Sequence, residues 1–326
     1  MTETILRVEG LQTYFSTKSG LVKAVDGVSF SVAEGETLGI VGESGSGKSM
    51  TALSILRMVP PPSGQIVGGR ILLRGENLLE KTERQMQKIR GSKISMILQD
   101  PMTSLDPLFT IADQLAEPIR THQADQVMDV PVRVREMLGL VKIPSPEQRM
   151  NEYPHQMSGG MRQRIVGAIA LACQPELLIA DEPTTSLDVT IQAQLLALLK
   201  EIQQRMRVAM IMITHDLGIV AKICHRVAVM YAGRIVESAD VRRLFKRPVH
   251  PYTVGLLACL PQLDKPTGLL YTIGGQPPDP RSLPPGCSFA PRCSRAIPLC
   301  AKQYPPEREI GPGHHAACHL AEGGRA

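Results

Sequence analysis

Short runs of alternating apolar and polar residues at 5–11 and 22–32, broken by Gly10, Gly20, Gly27 and Gly35, predict a β-rich start. A strand-like run at 37–41, apolar after Thr37, precedes a helix-like run at 49–58. After Pro60, Pro61, Pro62, Ser63 and Gly64, the pattern predicts a strand at 70–74, a helix at 82–90 and a strand at 94–98. Between about 101 and 172 the spacing becomes helical, with helices expected at 111–122, 131–140 and 160–172. Strands at 177–180, 208–214 and 227–230 then alternate with helices at 189–205 and 217–223. Apolar strands alternating with helices predict a parallel sheet covered by helices. The expected class is α/β, mostly parallel, with an N-terminal antiparallel β subdomain and an inserted helical subdomain at about 101–172.

Beyond residue 248 the pattern fails. Ten of the 26 prolines fall in 277–326, together with four of the seven cysteines. Such a stretch has little apolar periodicity with which to bury a core, and it reads as a small Cys-rich appendix held by something other than packing. The expected division is 1–247 for the main domain and 248–326 for the C-terminal region, with its cysteines at 287–318. Composition adds bounds. Hydrophobic residues make up 43% of the 326, enough for a sizeable core. Aromatics are 3%, with no Trp, so aliphatic side chains and 15 Met must fill it. The net charge of +5 is too mild to argue for nucleic acid. The first residues carry no secretory signal pattern. The apolar runs fall far short of the ~20 residues that span a bilayer, so a cytosolic protein is expected, with any membrane role peripheral.

The sharpest chemical signal is Gly42, Glu43, Ser44, Gly45, Ser46, Gly47, Lys48 and Ser49, the G-x-x-x-x-G-K-[ST] phosphate loop, here between a strand and a helix. Its glycines let backbone N–H groups turn inward around a phosphate. Lys48 supplies a point charge for the β- and γ-phosphates. Ser49 offers Mg²⁺ a hydroxyl, and the helix start through Met50 favours the anion. A second signal is the apolar run 177–180 ending in Asp181 and Glu182. Asp181 is placed to hold hydrated Mg²⁺, and Glu182 to polarise the attacking water. An isolated Asp-Glu is more often an ordinary acidic loop; a phosphate loop in the same chain reverses that judgement. Between them, Ser158, Gly159 and Gly160 precede a helix, another anion-binding arrangement.

This order of motifs resembles the ATP-binding subunits of ABC transporters. Their Leu-Ser-Gly-Gly-Gln signature stands here with Met157 for Leu and Met161 for Gln. The resemblance, over residues 4 to about 245, implies a P-loop NTPase core and assigns further residues. Gln99 senses Mg²⁺ and the membrane partner. Ser186, Leu187 and Asp188 form a loop at a dimer interface. His215 contacts the γ-phosphate, completing a catalytic set with Lys48 and Glu182. Adenine stacks on Phe15 or Tyr14, Phe15 being favoured and the other belonging to the core. Each ATP is held between one subunit's phosphate loop and the Ser-Gly-Gly of a second.

The runs Gln99–Pro107, Tyr153–Met161, Ala180–Gln194 and His250–Thr253 resemble the dipeptide/oligopeptide/nickel branch and extend the likeness over nearly the whole chain. That branch implies an ATPase powering import of short peptides at the cytoplasmic face of the membrane. Its partners are a related but different ATPase subunit, two permeases and an extracytoplasmic binding protein, with no nucleic acid; nickel and glutathione are alternative cargoes. From another class, a soluble ABC ATPase acting on nucleic acid or ribosomes would carry two ATPase units or long heptads, and neither is present. A non-hydrolysing regulatory module would show a damaged loop or carboxylate, and both are intact.

Cys287, Cys293, Cys300 and Cys318 are spaced by 5, 6 and 17 residues. A cytosolic setting argues against disulfides, and the gaps are wider than usual zinc pairs. Four thiolates also hold a [4Fe–4S] cluster, which some members of the branch carry. The cluster is the favoured reading, with Zn²⁺ the alternative. Cys173, Cys224 and Cys259 read as inert thiols, and His314, His315 and His319 as surface residues or substitute ligands.

Overall fold

The computed structural model describes residues 3–98, 104–125, 127–185, 187–260 and 271–321. Gln99 and Ser186 lie outside them. The chain divides into two compact units: Met1–Leu6, Ser31–Thr37 and Leu72–Met212 in the first, Arg7–Phe30, Leu38–Ile71 and Ile213–Ala326 in the second.

A hairpin opens the chain, most of it in the second unit. Strands β1 (Thr4–Thr17) and β2 (Gly20–Ala33) flank a two-residue turn, where the Thr17 hydroxyl donates to the Gly20 carbonyl at 2.7 Å. The strands run longer than the alternating segments at 5–11 and 22–32: β1 continues to Thr17, with Thr13 buried and Tyr14 and Phe15 half-buried, and β2 begins at Gly20. Beside β1 lies β4 (Gly64–Leu73), giving the order β2-β1-β4. A second sheet in this unit runs β11-β12-β10-β9-β3. There β3 (Thr37–Val41) pairs parallel with β9 (Arg226–Tyr231), Gly39 opposite Val227. Both strands are apolar and buried, as expected of strands covered on two faces.

The sheet then turns antiparallel through β10 (Arg234–Asp240), β12 (His314–Ala316) and β11 (Arg308–Gly311). The expectation of an appendix without packing is corrected here. The C-terminal hairpin supplies sheet strands, with Glu237 opposite Ala316. Tyr231, Tyr252 and Phe289 pack in one cluster, ring centroids 4.6 to 5.4 Å apart, with Cys287 and Cys293 against it. Tying the hairpin down, buried Glu237 accepts from the backbone N–H groups of Val249 and His250, each at 2.9 Å, and pairs with His314 at 2.7 Å. His314 is therefore a buried structural residue rather than a surface one.

The first unit holds the order β8-β7-β6. Parallel β6 (Ile94–Ile97) and β7 (Leu177–Asp181) place Ile97 opposite Ala180, and β8 is Ala209–Thr214. The short β5 (Glu76–Asn77) turns back on the end of β4. Helices Ile111–Gln123, Val130–Leu140, Pro146–Arg149 and Gly159–Leu171 form the helical block. Their starts follow cap chemistry: Thr110, Asp129 and Ser158 each accept a backbone N–H two or three positions into the helix. Among the described residues no helix is long and apolar enough to cross a membrane.

One buried group couples this packing to pH. His250 is 1% exposed, and burial pushes its pKa down from 6.5 to about 4. Its Nδ1 accepts the Tyr252 N–H at 3.1 Å, capping the helix Pro251–Ala258. As pH falls below 6.5 the unfolded chain takes a proton that the folded ring refuses until about 4. Stability therefore drops as pH falls through that window, by roughly 3 kcal/mol in all. His250→Asn keeps a capping acceptor but does not titrate. Urea midpoints measured across the window should fall less steeply for the variant than for the parent; equal slopes would remove His250 as the cause.

Candidate nucleotide site

In the second unit the phosphate loop leaves β3 and enters the helix Lys48–Ile55. Gly47 caps that helix at φ 104°, a left-handed conformation that a side chain resists. A Cβ there would also lie 2.3 Å from the Ala24 carbonyl oxygen. No acidic residue occupies the first helical turn, so the N-terminal partial charge is not cancelled by the chain's own carboxylates. Lys48 is buried, and its Nζ donates to the carbonyls of Gly42 and Glu43, each at 2.9 Å. This brings the ammonium back over the loop it follows. Ser44, Gly45 and Ser49 are exposed, while Ser46 is buried, its amide donating to the Glu43 carbonyl at 3.2 Å.

Tyr14 and Phe15 are both half-buried, so neither is the core residue expected of one of the pair. The two are nonetheless distinguished. The Tyr14 hydroxyl donates to Asp26 at 2.6 Å, and Asp26 takes Nη2 of Arg234 at 2.7 Å. Burial and the Asp26 hydrogen bond push the Tyr14 pKa up to about 12. Tyr14 is thus tied into the structure by its hydroxyl. The Phe15 ring carries no such tether and rests on Gly64, where a Cβ would come within 2.6 Å of its Cε1. His215, at the exposed end of β8, stands just before Asp216, which caps the next helix by accepting the Gly218 N–H at 2.6 Å.

In the first unit Asp181 ends β7 and is buried. Glu182 follows with φ 47°, a region costly for a residue with a side chain. The Thr185 hydroxyl donates to its Oε2 at 3.0 Å. Gln163, from the helix after Ser158, donates to the Pro183 carbonyl at 2.6 Å and joins the two motifs of this unit. Ser158 caps its helix by accepting the Met161 N–H at 3.3 Å, yet Ser158 and Gly159 remain exposed. The glycines differ. Added at Gly159, a Cβ meets nothing within 4 Å, whereas at Gly160 it would lie 2.8 Å from Ile191. Asp188 caps the helix Val189–Met206 by accepting the N–H groups of Thr190 and Ile191, a role that its place directly before the expected helix allows. Beside it Val189 is 80% exposed, an apolar residue turned outward where a partner surface is expected.

Cys287, Cys293, Cys300 and Cys318 line one small cavity in the second unit, together with His319. All four are free thiols. The backbone brings two of them together: the Cys287 N–H donates to the Cys300 carbonyl at 2.7 Å, and a Cβ on Gly286 would fall 2.1 Å from that oxygen. Burial pushes the Cys287 and Cys318 thiols up in pKa. Among the described residues no group of three or more His, Cys, Asp or Glu is arranged to hold a metal ion.

The fold has solved counterparts. The dimeric bacterial ABC transporter cassette MJ0796 is 25% identical with a TM-score of 0.63, covering 73% of this chain and 99% of that one. CbiO1 from Clostridium perfringens, part of the ABC transporter complex cbiONQ, is 26% identical with a TM-score of 0.64, covering 75% and 92%. The architecture is that of an ATP-binding cassette. The ABC transporter family model matches residues 25–185, and the oligopeptide/dipeptide transporter C-terminal region matches 236–300. A probable peptide ABC transporter ATP-binding protein of Sinorhizobium fredii is 53% identical over 97% of this chain and 95% of its own. The dipeptide transport ATP-binding protein DppD of Bacillus subtilis is 50% identical over 98% and 96%. The oligopeptide transport ATP-binding protein OppD of Escherichia coli is 48% identical over 97% and 93%. This chain belongs to the ATP-binding proteins of ABC transporters, in the branch that carries the oligopeptide/dipeptide C-terminal region.

Proposed function

We propose that this chain hydrolyses ATP to power import of short peptides through two permease subunits, fed by an extracytoplasmic binding protein. It sits peripherally on the cytoplasmic face of the cell membrane and pairs with a related but different ATPase subunit. The observation that carries this reading is a cassette continuous with the oligopeptide/dipeptide C-terminal region, in relatives whose names specify peptide transport.

In this reading Phe15 stacks on adenine, while Lys48 and the loop amides hold the phosphates. Ser49, Gln99 and Asp181 hold Mg²⁺. An exposed hydroxyl on Ser49 and a strand-end carboxylate on Asp181 are oxygen donors of the kind that ion takes. When bound, Mg²⁺ neutralises charge on the β- and γ-oxygens. Glu182 orients and deprotonates the attacking water, and His215 hydrogen-bonds the γ-phosphate. The exposed N-terminus at Ser158 serves the ATP of the partner subunit, with Asp188 at the same interface. The 1–247 and 248–326 segments act as motor domain and branch-specific region.

On donor type alone, the thiols of Cys287, Cys293, Cys300 and Cys318 are those that a [4Fe–4S] cluster takes; among the described residues they are not arranged to hold a metal, so the cluster would have to draw them together. Anaerobically purified chain should contain iron and acid-labile sulfide, and Cys293→Ser should lose both. Zinc in their place would replace the cluster with the alternative. For the cargo, the assembled transporter in vesicles should accelerate ATP hydrolysis when its binding protein carries a di- or oligopeptide. Stimulation by nickel or glutathione alone would reassign it.

A further inference from the structure

We infer that Arg292 and Tyr252 are positioning residues for the phosphate loop, so that the C-terminal region sets the affinity of the nucleotide site. The inference rests on the reading of residues 42–49 as that loop.

Glu43, its second residue, is held twice from far along the chain. Its carboxylate takes both arms of the Arg292 guanidinium, Nη1 to Oε2 at 2.8 Å and Nη2 to Oε1 at 3.1 Å. Its backbone N–H donates to the Tyr252 hydroxyl at 2.8 Å. Both holders are fixed in turn. The Arg292 side chain is 5% exposed; its Nε donates to the Gly274 carbonyl at 3.0 Å and its Nη1 to the Tyr231 hydroxyl at 3.2 Å. Tyr252 is fully buried against Tyr231 and Phe289. A forked guanidinium–carboxylate pair fixes orientation as well as distance. The Glu43 carbonyl meanwhile accepts from Lys48 Nζ. The chain of contacts thus runs from the C-terminal region to Glu43 and on to the lysine that meets phosphate.

Two further observations place the source of this control. Arg292 ends the one-turn helix Ala290–Arg292, directly before Cys293, so the turn that aims the guanidinium also presents a thiol to the cysteine-lined cavity. Pro277, Pro278 and Pro280 line, together with Glu43, Ser44, Gly45 and Ser46, a second cavity of about 100 Å³. A loop fixed in advance spends less of its binding energy on ordering itself.

The test measures MgATP affinity of the full chain with a fluorescent ATP analogue. Arg292→Met should weaken binding about tenfold, the order expected for losing charge-assisted hydrogen bonds. Arg292→Lys, which keeps charge but not the fork, should recover part of the loss. Glu43→Gln should weaken binding similarly, and the Glu43→Gln/Arg292→Met pair should bind no worse than either alone. Tyr252→Phe removes a hydroxyl and keeps the ring; it should bind several-fold more weakly at an unchanged melting temperature, and it decides the matter if Arg292→Met fails to fold. Parental affinity in Tyr252→Phe and in folded Arg292→Met overturns the inference, as does a double variant whose losses simply add. Lys48→Ala is the control. If it keeps full affinity, the phosphate-loop reading itself has failed; if it alone loses binding, only the positioning role has.

Discussion

Glu182→Gln should bind ATP as the parent does, accumulate as a nucleotide-bound dimer and lose steady hydrolysis, with turnover down by about 10²–10⁴-fold, the usual worth of a positioned general base. The substitution is nearly isosteric, and the Thr185 hydroxyl that bonds Oε2 at 3.0 Å can bond an amide as well. The backbone supports the assignment. Glu182 sits at φ 47° directly after a buried strand and directly before Pro183. Residues held in such conformations cost of order 1–3 kcal/mol and cluster at functional sites. Relief of that strain gives Gln no advantage over Glu, so a loss of turnover reports chemistry and not folding. Phosphate release from the assembled transporter, with size-exclusion profiles in MgATP, makes the measurement. Undiminished turnover would take the role of base away from Glu182.

Much of this architecture is written locally. The strands β3, β7 and β8 are short, buried and mostly apolar, so period and length alone identify them. The helix Leu217–Ile223 is legible to its ends, because Asp216 caps it and the apolar run stops at Cys224. The phosphate loop, the Asp-Glu strand end and Ser-Gly-Gly are contiguous motifs whose chemistry follows from their order. What escaped is non-local. Strand β10, Arg234–Asp240, carries three charges, and its pairing with β12 joins residues nearly eighty positions apart. His314 looks like a surface residue until Glu237 is found buried beside it. The bond from Arg292 to Glu43 spans 249 positions, and neither residue's neighbours in sequence announce the other. A proline-rich segment poor in apolar periodicity suggested weak packing. Its few aromatic and aliphatic side chains instead complete a core that other segments supply.

Gly159→Asp separates binding in one subunit from catalysis shared by two. The position is sterically open, since a Cβ there meets nothing within 4 Å. Asp in the first turn of a helix favours the N-terminal partial charge by some 0.3–1 kcal/mol, so the isolated chain should be as stable as the parent or slightly more. Gly160 would give a clouded answer, because a Cβ there presses to 2.8 Å on Ile191. Ser158 would too, because its hydroxyl caps the helix. The exposed start of this helix meets the partner subunit's γ-phosphate in the proposed dimer. A carboxylate there replaces an attraction with a repulsion. Loss of one preorganised donor already costs about 10²–10³ in turnover, and reversed charge should cost at least as much. The isolated chain should therefore bind MgATP with parental affinity, while ATP-driven dimerisation and hydrolysis in the assembled transporter collapse. If affinity in the isolated chain falls in step with turnover, this helix acts on its own subunit's nucleotide, and the two-subunit sandwich is the wrong description of the site.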